Sequence, residues 1–267
     1  MTLTRPDAAM DDEPAAAMGG HAHYIYAIVP AGTTAPGELT GIDDARIEVI
    51  EHGSIAAVVG VLRTGRVFGR RDDLLAHSRV NDAMALRGPV VPVRFGSLLA
   101  DADEVVTELL LPNGQIFADL LADLTGRRQF LIRARYDEEV VLAEIIVEHA
   151  DIRMLRDRTR DQSVEMSLAE RVKLGELVAR ALEVKRDVDG AGLLDLLTPH
   201  AVDWSFRESG EVDYLLEAAF LVEDKHRSSF DDAAEQAATA LAGRARVQLL
   251  GPSAPYDFVP GDERWVS

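Results

Sequence analysis

Asp73, His77 and Asn81 stand four residues apart in RDDLLAHSRVNDAMALRG (71–88). On a helix that spacing stacks them on one face. A carboxylate that orients an imidazole is how a general base is built. It is equally how a half-buried histidine is satisfied, and no nucleophile is tied to the set by sequence. Arg94 is the second candidate. It follows Pro92 by two residues in GPVVPVRFGSLLAD (88–101), so in an extended chain both point to one side. Such an arginine clamps a carboxylate or phosphate through its bidentate fork, or pairs with an acidic neighbour, Asp73 or Asp101, and locks helix to sheet. Pro92 has no N–H to give and marks an edge or a bulge.

Two metal patterns are incomplete. His21 and His23 lie two apart where the tail meets the edge of the first strand, with no third ligand in view. Asp187, Asp189 and Gly190 open like a calcium loop. The loop lacks the third acidic position before the glycine, and Thr198 holds the place of the closing glutamate. Phosphate-binding glycine loops, zinc-protease helices and serine-hydrolase elbows are absent. The reading is therefore no metal, no cofactor and no catalytic set.

These residues need elements to hold them. HYIYAIVP (23–30) reads as a first strand, with Tyr24, Tyr26 and Ile28 on one side and Ile25, Ala27 and Val29 on the other. Residues 45–62 read as a hairpin around His52-Gly53. The helix at 71–88 buries Ala76, Val80, Ala83 and Met84 and ends at Gly88-Pro89. Residues 88–101 read as a strand, and Asp101 or Asp103 caps the next helix. Pro112-Asn113-Gly114 is expected to break that helix before QIFADLLADL forms another. RRQFLIRARY (127–136) alternates as a half-exposed strand. A helix follows at 137–149, then a charged extension or loop at 153–163. Ser167 and Glu170 read as a capping box, and DVDGAG (187–192) as a turn. Later come two strands, with 211–224 central, then a helix from Phe230 to Leu241 and a last strand at 245–249.

Strands joined by helices in each half point to an α+β protein. Each half is a modified ferredoxin-like antiparallel sheet with helices packed on one face. The expected division is a disordered tail over 1–22, one domain over 23–126, and a second over 127–267 with a helical insert. The chain of 267 residues carries 46 acidic against 28 basic side chains, a formal charge of −18. That balance argues against nucleic acid, whose phosphates need clustered cations, and against an anionic membrane surface. Apolar runs such as SIAAVVGVL (54–62) fall short of the ~20 residues of a spanning helix. The N-terminus does not read as a secretory signal, and the absence of cysteine fits the cytoplasm.

VVPVRFGSLL resembles the V-x-P-[VL]-R-F-G-[TS] signature of the gas vesicle protein L/F family. HYIYAIV, LLAHSRVNDAM, YLLEAAFLVED with FDDAAEQAA, and LLGPSAPYDFV resemble further family segments, in order from residue 23 to 259. The resemblance marks Pro92, Arg94, Phe95, Gly96, His77, Gly251, Pro252 and Tyr256 as motif positions with a structural role. It implies two ferredoxin-related domains, with a helical coiled segment in the second. It implies a non-enzymatic accessory protein of gas vesicle assembly that contacts the major shell protein and other accessory proteins. The implied location is the cytoplasm and the vesicle, with one branch at the gas-facing surface. The alternative is a small-molecule-binding or enzymatic α+β domain using His77 and Arg94. Under the assembly reading Arg94 is a latch between its strand and an acidic side chain.

Overall fold

The computed structural model describes residues 20–65, 67–207 and 214–260. The expected tail lies outside these up to residue 19. His21 and Ala22, placed in that tail from sequence, instead open strand β1 (His21–Pro30).

Two antiparallel sheets organise the chain. The first pairs β1 with β3 (Ile55–Arg63), β3 with β2 (Ile47–His52), and β1 with β4 (Val91–Pro92) and β5 (Leu98–Leu99). The hairpin of β2 and β3 forms as expected, with Gly53 in its turn. In β1 the register slips between Ile25 and Ala27. This bulge resets the two-residue alternation. Tyr24, Tyr26, Ala27 and Val29 all pack with helix α1 (Arg71–Ala85), while Ile25 and Ile28 join a separate cluster on the other side. The simple alternation read from the sequence therefore holds through Tyr26 and fails from Ala27 onward.

That second cluster is filled by one long helical run. It comprises α2 (Ala102–Glu104), a wider π-helical stretch at Val105–Leu110, and α3 (Leu111–Asp123). Helices thus cover both faces of the first sheet. Pro112-Asn113-Gly114 does not break the run. The π turn has already shifted the hydrogen-bond ladder, with the Leu111 N–H donating to the Val106 carbonyl. Asn113 Nδ2 recovers the Leu109 carbonyl at 2.9 Å. By length and composition this run could cross a membrane, yet Val105, Leu109, Leu110, Phe117 and Leu121 are all buried in the core.

The second sheet has the order β7 (Asp203–Phe206), β8 (Tyr214–Glu223), β6 (Arg127–Tyr136), β9 (Ala245–Ser253). One face packs on α6 (Val164–Leu197) and α7 (Arg227–Ala240) through Phe130, Phe220, Phe230, Leu193 and Leu197. On the other face Leu221 joins the α3 cluster of the first half.

Helices α4 (Glu138–Glu148), α5 (Ala150–Arg160) and α6 form the helical segment. Two expectations fail here. The supposed turn at 187–192 lies inside α6. Tertiary contacts override its two glycines: Asp189 accepts from Tyr136 Oη (2.7 Å) and Arg244 Nη2 (2.9 Å), and Leu193 packs in the core. The cap of α6 is Ser163, whose Oγ accepts the Met166 N–H. Ser167 sits one turn inside, buried, and its hydroxyl donates to the Ser163 carbonyl at 2.7 Å.

Candidate functional site

The VVPVRFGSLL segment is not one strand. Val91 and Pro92 pair with Ile28 and Ala27, Leu98 and Leu99 pair with Tyr24 and His23, and a turn lies between. Pro92 thus sits on the edge strand of the β2-β3-β1-β4 path, as its missing N–H suggests. The turn closes when the Arg94 carbonyl accepts the Ser97 N–H (3.3 Å) and Oγ (2.9 Å). Gly96 holds it at φ +95, a conformation that disfavours any side chain. The Gly96 N–H then donates to Tyr24 Oη at 3.0 Å.

Tyr24 links the turn to the histidine. Its Oη lies 3.0 Å from His77 Nδ1. Asn81 Nδ2 lies 3.2 Å from His77 Nε2 and donates to the His77 carbonyl at 3.0 Å. Tyr26 stacks on the imidazole, and Phe95 meets it edge-on at 5.6 Å. Burial lowers the His77 pKa to about 4, against a smaller upward pull from a hydrogen bond to the Val93 backbone. At neutral pH the imidazole is therefore an uncharged core group.

Asp73 does not orient His77. It is buried, and its carboxylate accepts the Arg70 N–H at 3.2 Å at the start of α1. Asp101, the other expected partner of Arg94, caps α2 by accepting the Glu104 N–H at 2.9 Å. Arg94 itself is exposed.

The closing motif completes the site from the far end of the chain. Gly251 stands at φ +123, followed by a cis bond to Pro252. The Ala254 N–H donates to Asp82 Oδ1 on α1 at 2.9 Å. Desolvation raises the Asp82 pKa, partly opposed by the Ala254 and Ser78 hydrogen bonds. The Asp257 N–H donates to buried Gln129 at 3.0 Å, and Arg207 grips the Asp257 carboxylate at 2.9 and 2.7 Å. These ties hold Tyr256 against His77, with ring centroids 6.3 Å apart.

Between the two motifs lies a cavity of about 420 Å³. Pro92, Val93, Arg94 and Phe95 line one side, Leu74, His77 and Ser78 another, and Tyr256, Val259 and Pro260 the third. The walls are largely apolar, with Arg94 as the charged group. Sequence reasoning named His77, Pro92, Arg94, Phe95 and Tyr256, and in its alternative reading joined only His77 and Arg94 in one site. It missed Leu74 and Ser78, which sit one turn or less from His77 on the same helix. His21 and His23 are placed on β1, and among the described residues no group of three histidine or acidic side chains could hold a metal. The DVDG aspartate, Asp189, is bound to Tyr136 and Arg244.

The family model described as gas vesicle synthesis protein GvpL/GvpF matches residues 22–260. Gas vesicle protein F of Streptomyces sp. is 28% identical over 243 residues, 88% of this chain and 98% of its own. Gas vesicle protein F of Dolichospermum flosaquae is 23% identical over 90% of this chain and 98% of its own. Gas vesicle protein L1 of Halobacterium salinarum is 22% identical over 89% and 90%. The crystal structure of GvpF from Anabaena sp. superposes with a TM-score of 0.75, covering 89% of this chain and 97% of that one at 23% identity. GvpF from Microcystis aeruginosa gives 0.72 over 89% and 98%, at 20% identity. The fold is theirs, and the match runs through both motifs that wall the His77 cavity. The chain belongs to the GvpL/GvpF family of gas vesicle proteins.

Proposed function

We propose that this chain is a non-enzymatic accessory protein of gas vesicle assembly, acting in the cytoplasm and on the vesicle. It binds the major shell protein and other vesicle accessory proteins. The observation that carries this reading is the family match across residues 22–260. The site supports it in two ways. Both nitrogens of His77 are engaged by core partners and the ring stays neutral, which suits a packing role better than proton transfer. The cavity walls are largely apolar and include exposed Leu74, chemistry suited to holding apolar subunits before they assemble.

The test is direct. Purified full-length chain and the shell protein are mixed and separated by size. Co-elution is expected; failure to co-elute with the shell protein and with every other vesicle component overturns the binder. The cavity itself favours a second reading, a small-molecule site using His77 and Arg94. A ligand that raises the melting temperature saturably, and loses its effect in Arg94→Ala, would establish that reading instead.

A further inference from the structure

Strand β9 is the edge of the second sheet, and no strand among the described residues pairs with its outer rim. The Asp137 N–H donates to the Arg244 carbonyl at 2.8 Å, which fixes the phase of the β6–β9 ladder. In that phase Arg246 and Gln248 exchange bonds with Arg135 and Arg133. The N–H and C=O groups of Val247 and Leu249 therefore point away from the sheet. Among the described residues nothing bonds to them. Their side chains pack against the core beside α7, while Arg246, Gln248 and Leu250 project to the opposite face with Arg133 and Arg135.

That face is locally cationic in a chain of charge −18. Arg133 is held by Glu217 at 2.9 Å, and Arg135 lies over the Tyr214 ring at 4.5 Å. Arg246 is directly opposite Arg135, is exposed, and forms no ion pair among the described residues. A cavity of about 370 Å³ at this end is lined by Arg135, Arg246, Tyr136, Asp137, Gly243 and Ala245.

We propose that β9 accepts an added strand from another protein, an extended segment alternating apolar and acidic residues. Its backbone bonds the outward groups of Val247 and Leu249. Its apolar side chains extend the row of Val247 and Leu249, and its carboxylates, on the other face, pair with Arg246. A second copy of this chain is disfavoured as occupant: pairing β9 with itself supplies no carboxylate for Arg246 and brings together two chains of charge −18. The inference does not rest on the vesicle reading.

The probe is an acetylated heptapeptide of alternating valine and glutamate, titrated into the full-length protein. Its control replaces every glutamate with lysine. The glutamate peptide is expected to bind with an affinity that falls as salt rises, and to slow amide exchange at Val247 and Leu249. Arg246→Glu should weaken it by at least about tenfold while leaving the circular dichroism spectrum unchanged. Val247→Pro, which deletes one outward N–H and no ladder bond, should weaken it as well. Equal binding of the lysine peptide, no binding of either, or full affinity in Arg246→Glu overturns the proposal. So does protection of Val247 and Leu249 without peptide in a species of dimer mass, which would assign the edge to a second copy.

Discussion

His77 shows how a residue chosen for its chemistry is put to work by its surroundings. Tyr24, Tyr26, Phe95 and Asn81 enclose it, and burial lowers its pKa to about 4. The linkage has a definite sign. A folded-state pKa below the unfolded value of 6.5 gives stability that is complete above pH 6.5 and lost as pH falls toward 4. The loss from this group should reach about 3 kcal/mol. Urea unfolding at several pH values between 7 and 4 should therefore show a steeper decline for wild type than for His77→Phe; equal slopes would refute the assignment. Arg94, expected to latch its strand to an acidic side chain, stands at the surface. Being exposed, it should change stability by less than about 1 kcal/mol on Arg94→Ala. Should that variant fold normally and yet build no vesicles, Arg94 is a contact residue. Gly251 is where the backbone leaves no choice. A Cβ there would lie 3.0 Å from the Gln129 carbonyl oxygen and from Phe130 Cδ1, at φ +123. Gly251→Ala should cost about 1–3 kcal/mol by thermal or urea unfolding.

Elements were legible wherever local pattern and tertiary packing agree. The β2–β3 hairpin around Gly53, helix α1 with its Val80 and Met84 stripe, and buried β8 could all be read from periodicity. The failures share one cause: distant partners rescue a locally unfavourable sequence. Pro112 survives because the π turn has already moved the ladder and Asn113 recovers a carbonyl. Gly190 and Gly192 stay helical because Asp189 is held by a residue more than fifty positions away. The bulge in β1 carries no local mark, since both tyrosines suit either face. The His77 cavity was half legible, its residues named but their convergence hidden by a sequence separation of about 160 residues between Phe95 and Tyr256. Arg244 makes the dependence on distant partners testable. It joins α4 through Glu144 (2.8 Å) and α6 through Asp189 (2.9 Å), holding the helical segment against β9. Arg244→Met should cost about 1–3 kcal/mol and speed amide exchange in α4 and in α6 near Asp189, with β1 and β3 unaffected.

At the scale of the molecule, the proposed domains 23–126 and 127–267 are bound across their boundary. Arg128 donates to the Ala85 carbonyl at 2.7 Å, Asp82 accepts from Ala254, and Leu221 sits in the α3 cluster. Calorimetry should therefore show a single transition, its calorimetric and van't Hoff enthalpies equal. Asp82→Ala, which leaves the Ala254 N–H without its partner, should lower the melting temperature and broaden or split that transition. The closing motif also has a consequence in time. Chains emerge from the ribosome N-terminus first, at ~5–20 residues per second. The RFG turn and α1 are exposed long before Tyr256, Val259 and Pro260 are made, a wait of roughly 10–30 s. Until then the cleft beside His77 lacks its third wall. Any partner that needs that wall can engage only a chain extended through residue 260, so synthesis of that segment is itself a checkpoint for assembly.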